Sequence, residues 1–157
     1  MNYLPLISVV VMLIPVIVMI VSDFRRREVA VWSLILFSIT SMATAIYSYG
    51  WSATVTNIVH NALVLCYLGV GLLIYMRIRY RRFVNPLNGY LGAGDLWFML
   101  ALSPLFPSKE FLIFLLVTMA GSLIWWVIRG RNGTIPLAGM LGIALGVYLL
   151  GIYPKIL

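Results

Sequence analysis

Long apolar runs separated by short arginine-bearing loops constrain this chain more than any other feature of its sequence. Most runs are close to the ~20 residues that cross the hydrocarbon core of a bilayer as a helix. The alternation of polar and apolar residues typical of a membrane β-barrel is absent from them. We therefore predict an all-α polytopic membrane helix bundle with six transmembrane segments, at about Tyr3–Ser22, Val29–Tyr47, Asn57–Met76, Leu91–Phe106, Phe111–Ile128 and Thr134–Tyr153.

The scarcity of charge supports a single membrane-embedded domain. Only 10% of the residues are charged and 63% are hydrophobic, whereas soluble domains carry about 25% charged residues. No change of composition divides the chain, so residues 1–157 are expected to form one domain. One cysteine, Cys66, and one histidine, His60, cannot form a disulfide or a zinc site. We expect no metal or other cofactor, and we expect Cys66 to be a buried thiol.

The basic residues predict the orientation of the bundle. With the N-terminus outside, the inner loops hold nine arginines and the outer side holds two lysines, a strong positive-inside bias. The net charge of +7 therefore reflects topology and contact with anionic lipid headgroups rather than nucleic-acid binding. The inner residues are Arg25, Arg26, Arg27, Arg77, Arg79, Arg81, Arg82, Arg129 and Arg131, and the outer ones are Lys109 and Lys155.

The stretch Gly92-Ala93-Gly94-Asp95 places one of the four acidic residues of the chain at the start of the fourth apolar run. This run is short, because about 16 residues span about 24 Å of the ~30 Å core. We expect it to begin within the membrane plane, with Asp95 below the headgroups. The two glycines permit unusual backbone angles or the close approach of another chain.

Topology predicts a partner for Asp95. The first run descends and ends at Asp23, so both carboxylates are expected at the cytoplasmic ends of their helices. Two aspartates placed close together share one proton, since both cannot ionise cheaply. One carboxylate then takes a proton from water while the other donates to a scissile carbonyl. This chemistry needs no metal and no covalent intermediate.

The residues that carry this pattern resemble those of the type IV prepilin peptidases, which are GxGD-type membrane aspartyl proteases. Gly92–Asp95 heads a membrane helix after a basic loop, and Asp23 ends the first helix before an arginine-rich loop. Thr134-Ile135-Pro136-Leu137-Ala138-Gly139 is similar to a proline-containing segment of that family. The resemblance covers the six-helix chain loosely and is sharp only at these three places.

The resemblance implies a function. The enzymes of this family cut a short basic leader from pilin-like membrane proteins at the cytoplasmic face of a prokaryotic membrane. It also implies that Asp23 and Asp95 are catalytic and that Gly92, Gly94 and Pro136 contact the substrate. The chain lacks the cysteine-bearing cytoplasmic domain linked to methyl transfer, so it is similar to the peptidase-only branch.

The surroundings of the aspartates depart from the family pattern. Val29-Ala30-Val31 stands where Ile-Pro-Asn is common, and Trp97 stands where a lysine is frequent. Three alternatives therefore stay open: a divergent peptidase with another small membrane substrate, a non-catalytic assembly or scaffold subunit, and a small transporter that relays protons through the aspartates.

Simpler structural interpretations compete with the catalytic one. Asp95 is a suitable N-cap residue, and Asp23 is placed to pair with Arg26 or Arg27. Glu28 lies in the same loop and is expected to pair with the arginines. The glycines of the sixth and third runs predict close helix packing; they are Gly139, Gly142, Gly146, Gly69 and Gly71.

Overall fold

The computed structural model describes residues 4–81, 92–130 and 135–151, and within these ranges the chain is helical without strands. This confirms the all-α prediction. The predicted segment limits Tyr3, Leu91, Thr134 and Tyr153 lie outside the described residues. The helices are α1 (Leu4–Arg26), α2 (Val31–Tyr49), α3 (Trp51–Tyr80), α4 (Ala93–Leu102), α5 (Ser108–Ile128) and α6 (Leu137–Gly151), with a 3-10 turn at Ser103–Leu105 after α4.

Four of the described helices are long and apolar enough to cross a membrane. They are Ser8–Arg26 within α1, the whole of α2, the whole of α3 and the whole of α5. The fourth and sixth predicted segments are shorter helices, Ala93–Leu105 and Leu137–Gly151. The chain is thus a membrane protein by helix length and composition, and a full crossing by the two short helices stays a prediction.

Helix α1 packs against α2 and α6. Its buried face carries Val9, Met12, Val16 and Met19, which follow the alternating spacing of three and four residues that keeps side chains on one helix face. Asp23 is the next position in this series and is only 6% exposed. The apolar stripe of α1 therefore directs this carboxylate into the bundle.

Glycines bring α6 close to α1. A Cβ atom on Gly139 would lie 2.6 Å from the Phe24 ring, and one on Gly142 would lie 2.7 Å from Ile20. These two positions confirm the predicted packing face. The prediction was wrong for Gly146, and also for Gly69 and Gly71, because a Cβ atom at these three positions would meet no described atom within 4 Å.

The far end of α4 is held by polar side chains from α2 and α3. Ser41 donates to the carbonyl of Ala101 at 2.8 Å, and the Asn61 amide donates to the carbonyls of Ser103 and Phe106 at 2.8 Å each. A helix that ends inside a membrane leaves carbonyls without partners, and these donors satisfy them. They hold the end of α4 and the turn after it against α2 and α3.

The expectation of a buried thiol at Cys66 was wrong, because this side chain is exposed on α3. Its neighbour Tyr67 is 80% exposed, and Leu63 is 61% exposed on the same stretch of helix. An apolar run that spans a membrane has a lipid-facing side as well as a core-facing side. Sequence alone does not distinguish the two sides when both are apolar.

Candidate active site

The two aspartates lie at one end of the bundle, which we call the arginine end because Arg25, Arg26 and Arg27 are there. Asp23 is in the last turn of α1, and Asp95 is the third residue of α4. Both line the same groove. The pairing predicted from topology therefore corresponds to a shared site in the structure.

Successive backbone amides at the start of α6 lie beside both carboxylates. The N–H of Gly139 donates to Asp23 Oδ2 at 2.6 Å, and the N–H of Ala138 lies near the Asp95 carboxyl group and interacts favourably with its charge. The first N–H groups of a helix have no partner within the helix, so they are free to bind anions. The start of α6 thus contacts both the last turn of α1 and the first turn of α4.

This arrangement limits the separation of the two carboxylates. Adjacent backbone nitrogens lie within about 4 Å of each other, so the two carboxyl groups that approach them are neighbours. Their negative charges repel each other. The two carboxylates therefore form one electrostatically coupled pair in the groove.

The simpler roles proposed for the aspartates account for only part of their contacts, since Asp95 accepts the capping-box hydrogen bond of α4. Gly92, not Asp95, is the N-cap of α4, and the Gly92 N–H donates to Asp95 Oδ2 at 3.3 Å. Asp23 lies in the field of Arg27, but its hydrogen bond is to the backbone of Gly139. Each carboxylate is tied to α6, which neither a cap nor a surface ion pair requires.

The glycines of the Gly92–Asp95 stretch have distinct structural roles. A Cβ atom on Gly92 would lie 2.9 Å from Asp95 Oδ2, so a side chain there would displace the carboxylate. A Cβ atom on Gly94 would lie 3.1 Å from Val29, so this glycine admits the loop between α1 and α2. Both glycines line the groove, and contact with a substrate stays a prediction for them and for the buried Pro136.

The groove has a volume of about 1410 Å³, which is larger than the roughly 300–1,000 Å³ of small-molecule sites. Its polar end holds the aspartates, Arg27 and Glu28. Its long walls are apolar faces of two helices. The α2 wall consists of Val31, Leu34, Ile35, Ser38 and Ile39, and the α5 wall consists of Met119, Ser122, Leu123 and Trp126. Trp97 of α4 also lines the groove and is 65% exposed.

Sequence reasoning missed several groups of this site. Gly139 was predicted as a helix-packing residue and as part of the segment similar to the family, but its backbone N–H was not predicted as a donor to Asp23. Glu28 was expected to pair with the arginines, but it is exposed and bonds to no other described residue. Trp97 was noted only as a departure from a family pattern.

Within residues 4–81, 92–130 and 135–151, no group of three His, Cys, Asp or Glu side chains is placed to hold a metal ion. The site is thus built from two carboxylates and backbone amides. Comparison of the chain with family models, with curated proteins and with solved structures finds no match. The function is therefore argued from the site itself.

Proposed function

We propose that this protein is a membrane aspartyl endopeptidase that removes the leader of pilin-like membrane proteins through an Asp23/Asp95 dyad. The observation that carries the proposal is the placement of both carboxylates in one groove beside the start of α6, where the Gly139 N–H donates to Asp23 and Ala138 lies near Asp95. A site of this kind combines an acid–base pair with room for a polypeptide.

The dyad performs hydrolysis by dividing acid and base roles. In the proposed mechanism the two carboxyl groups share one proton, because two like charges placed close together do not both ionise cheaply. The ionised carboxylate takes a proton from water, and the protonated one donates to the oxygen of the scissile carbonyl. The α6 amides keep the carboxylates in place, so that little reorganisation is needed during the reaction.

The arginine distribution supports an orientation with the arginine end at the cytoplasmic face of a prokaryotic membrane. The leader of the substrate would then lie in the cytoplasm, beside the polar end of the groove. Glu28, which bonds to no other described residue, offers a carboxylate there to a basic leader. The apolar segment of the substrate would enter the bilayer along the apolar walls.

The test uses purified protein and a single-span test substrate with a basic leader, a glycine and an apolar helix. Mass spectrometry of the substrate N-terminus reports cleavage. We expect the native protein to release the leader, and Asp23→Asn and Asp95→Asn each to abolish release while still inserting and purifying normally. Normal cleavage by either variant contradicts the dyad.

Two other results would redirect the assignment. Stable binding of the test substrate without cleavage by the native protein would contradict the peptidase and fit the assembly or scaffold alternative. Proton-coupled uptake that disappears in both aspartate variants would contradict the peptidase assignment and fit a transporter.

A further inference from the structure

The two long walls of the groove have the pattern of surfaces that pack against a helix. The α2 wall follows positions i, i+3, i+4, i+7 and i+8 from Val31 to Ile39, and the α5 wall follows i, i+3, i+4 and i+7 from Met119 to Trp126. Residues at this spacing form the ridges between which the side chains of a neighbouring helix fit. The groove therefore has the surface of a vacant helix position in the bundle.

The walls are apolar and accessible. Ile35 is 56% exposed and Leu123 is 55% exposed, although both line the cavity. The two serines among them do not offer free hydroxyls, because Ser38 donates to its own helix at Leu34 and Ser122 donates to its own helix at Met119. An occupant of this groove is thus recognised by shape and apolar contact rather than by hydrogen bonds.

The groove is short compared with the membrane. Its α2 wall rises through eight residues and its α5 wall through seven, which corresponds to about 12 Å and about 10 Å of helix. Beyond Met119, the inner face of α5 is filled by Leu115 and Phe111, both fully buried, and Phe111 contacts the ring of Phe106. The groove therefore ends well before the far side of the ~30 Å hydrocarbon core.

We infer that the groove binds the first two helical turns, about eight residues, of the apolar segment that follows the cleavage site. The enzyme then contacts only these residues of the substrate helix, and the rest of the substrate helix contacts lipid. The inference rests on the proposed function and adds to it the conformation and the length of the recognised segment. The aspartates at the polar end of the same groove set the register, because the scissile bond must reach them.

The test substrate examines this length directly. A single asparagine is placed in turn at each of the first sixteen positions of its apolar helix, about four turns. We expect cleavage to fall about tenfold at groove-facing positions of the first two turns, the effect of losing about 1.4 kcal/mol of binding. Substitutions in the third and fourth turns should leave the rate unchanged. Equal sensitivity along all positions, or none at any position, would overturn the inference.

Matched variants of the walls provide a second readout. Leu123→Trp and Ile35→Trp fill the groove, whereas Ile124→Trp and Leu36→Trp place the same residue on exposed neighbours outside it. We expect the first two variants to raise KM for the test substrate about tenfold. They should still cleave a short peptide that spans the cut but lacks the apolar helix. The two control variants should behave as the native protein.

The outcomes separate this inference from the proposed function. If the wall variants leave KM unchanged but alter self-association in detergent, the groove binds a second copy of the chain and the inference fails. In that case aspartate-dependent cleavage still supports the peptidase. If no substrate is cleaved by the native protein, the proposed function fails first.

Discussion

Asp23 and Asp95 come from distant parts of the chain and are brought together by one turn of α6. Asp23 follows the buried stripe of α1, and Asp95 follows the glycines that start α4. Neither carboxylate is placed by the other, since Asp23 accepts from the Gly139 N–H and Asp95 lies near the Ala138 N–H. The geometry of the pair therefore depends on how closely α6 approaches α1, and Gly139 sets that approach.

Replacing Gly139 by alanine tests this dependence. The new Cβ atom would lie 2.6 Å from the Phe24 ring and 3.2 Å from Asp23 Oδ2, so the first turn of α6 must move. Overpacking of this kind costs about 1–3 kcal/mol, and we expect a lower unfolding temperature in detergent together with a loss of cleavage.

Gly146→Ala is the matched control on the same helix, because its Cβ atom would meet no described atom within 4 Å. Its stability should stay within about 0.5 kcal/mol of the native protein, and its cleavage rate should be unchanged. Native activity in Gly139→Ala would show that the contact between α6 and the dyad is dispensable.

At the scale of the helices, the short α4 is the element that most determines the site. It ends after Leu102, where Ser41 of α2 donates to the carbonyl of Ala101 and Asn61 of α3 donates to the carbonyl of Ser103 in the turn that follows. The sequence predicted a short fourth segment from its length. It did not predict the polar clamps, because a serine or asparagine within an apolar run gives no indication of its partner.

Asn61→Leu tests the clamp. The carbonyls of Ser103 and Phe106 both lose their donor, and a buried acceptor without a partner costs about 1–3 kcal/mol. We expect a clear decrease in thermal stability and a lower cleavage rate, because α4 is no longer fixed at its far end. Thermal unfolding in detergent and the substrate assay measure the two effects.

The control for this prediction is Thr56→Val on the same helix. The Thr56 hydroxyl is exposed and donates only to Ser52 of its own helix at 3.0 Å. Its replacement should change neither stability nor rate. If Asn61→Leu behaves like Thr56→Val, the end of α4 is held by other contacts.

At the scale of the whole molecule, composition and arginine placement were sufficient to predict a helical membrane protein. Pairing of Asp23 with Asp95 was also predictable, because topology alone brings both to the arginine end. The groove between α2 and α5 was not predictable. Its walls consist of apolar residues, and the sequence does not distinguish groove-lining residues from lipid-facing or core residues. The role of the Ala138 and Gly139 amides was also not predictable, because side-chain patterns do not indicate which backbone groups contact a carboxylate.

The orientation of the bundle is a prediction at this scale. In a Cys66→Ser background, single cysteines replace Glu28 at the arginine end and Glu110 at the start of α5. We expect a membrane-impermeant maleimide to label Glu110→Cys in intact cells and Glu28→Cys only after permeabilisation. The reverse pattern would place the dyad on the outer face and contradict cleavage of a cytoplasmic leader.

The most direct test of the central claim compares cleavage rates of the test substrate by Asp23→Asn, by Asp95→Asn and by the double variant. Residues that act as one unit are not additive, so removing either partner costs as much as removing both. We predict that each single variant falls to the background rate of the double variant while stability and substrate binding are retained. A single variant that keeps substantial activity above that background would contradict a shared dyad.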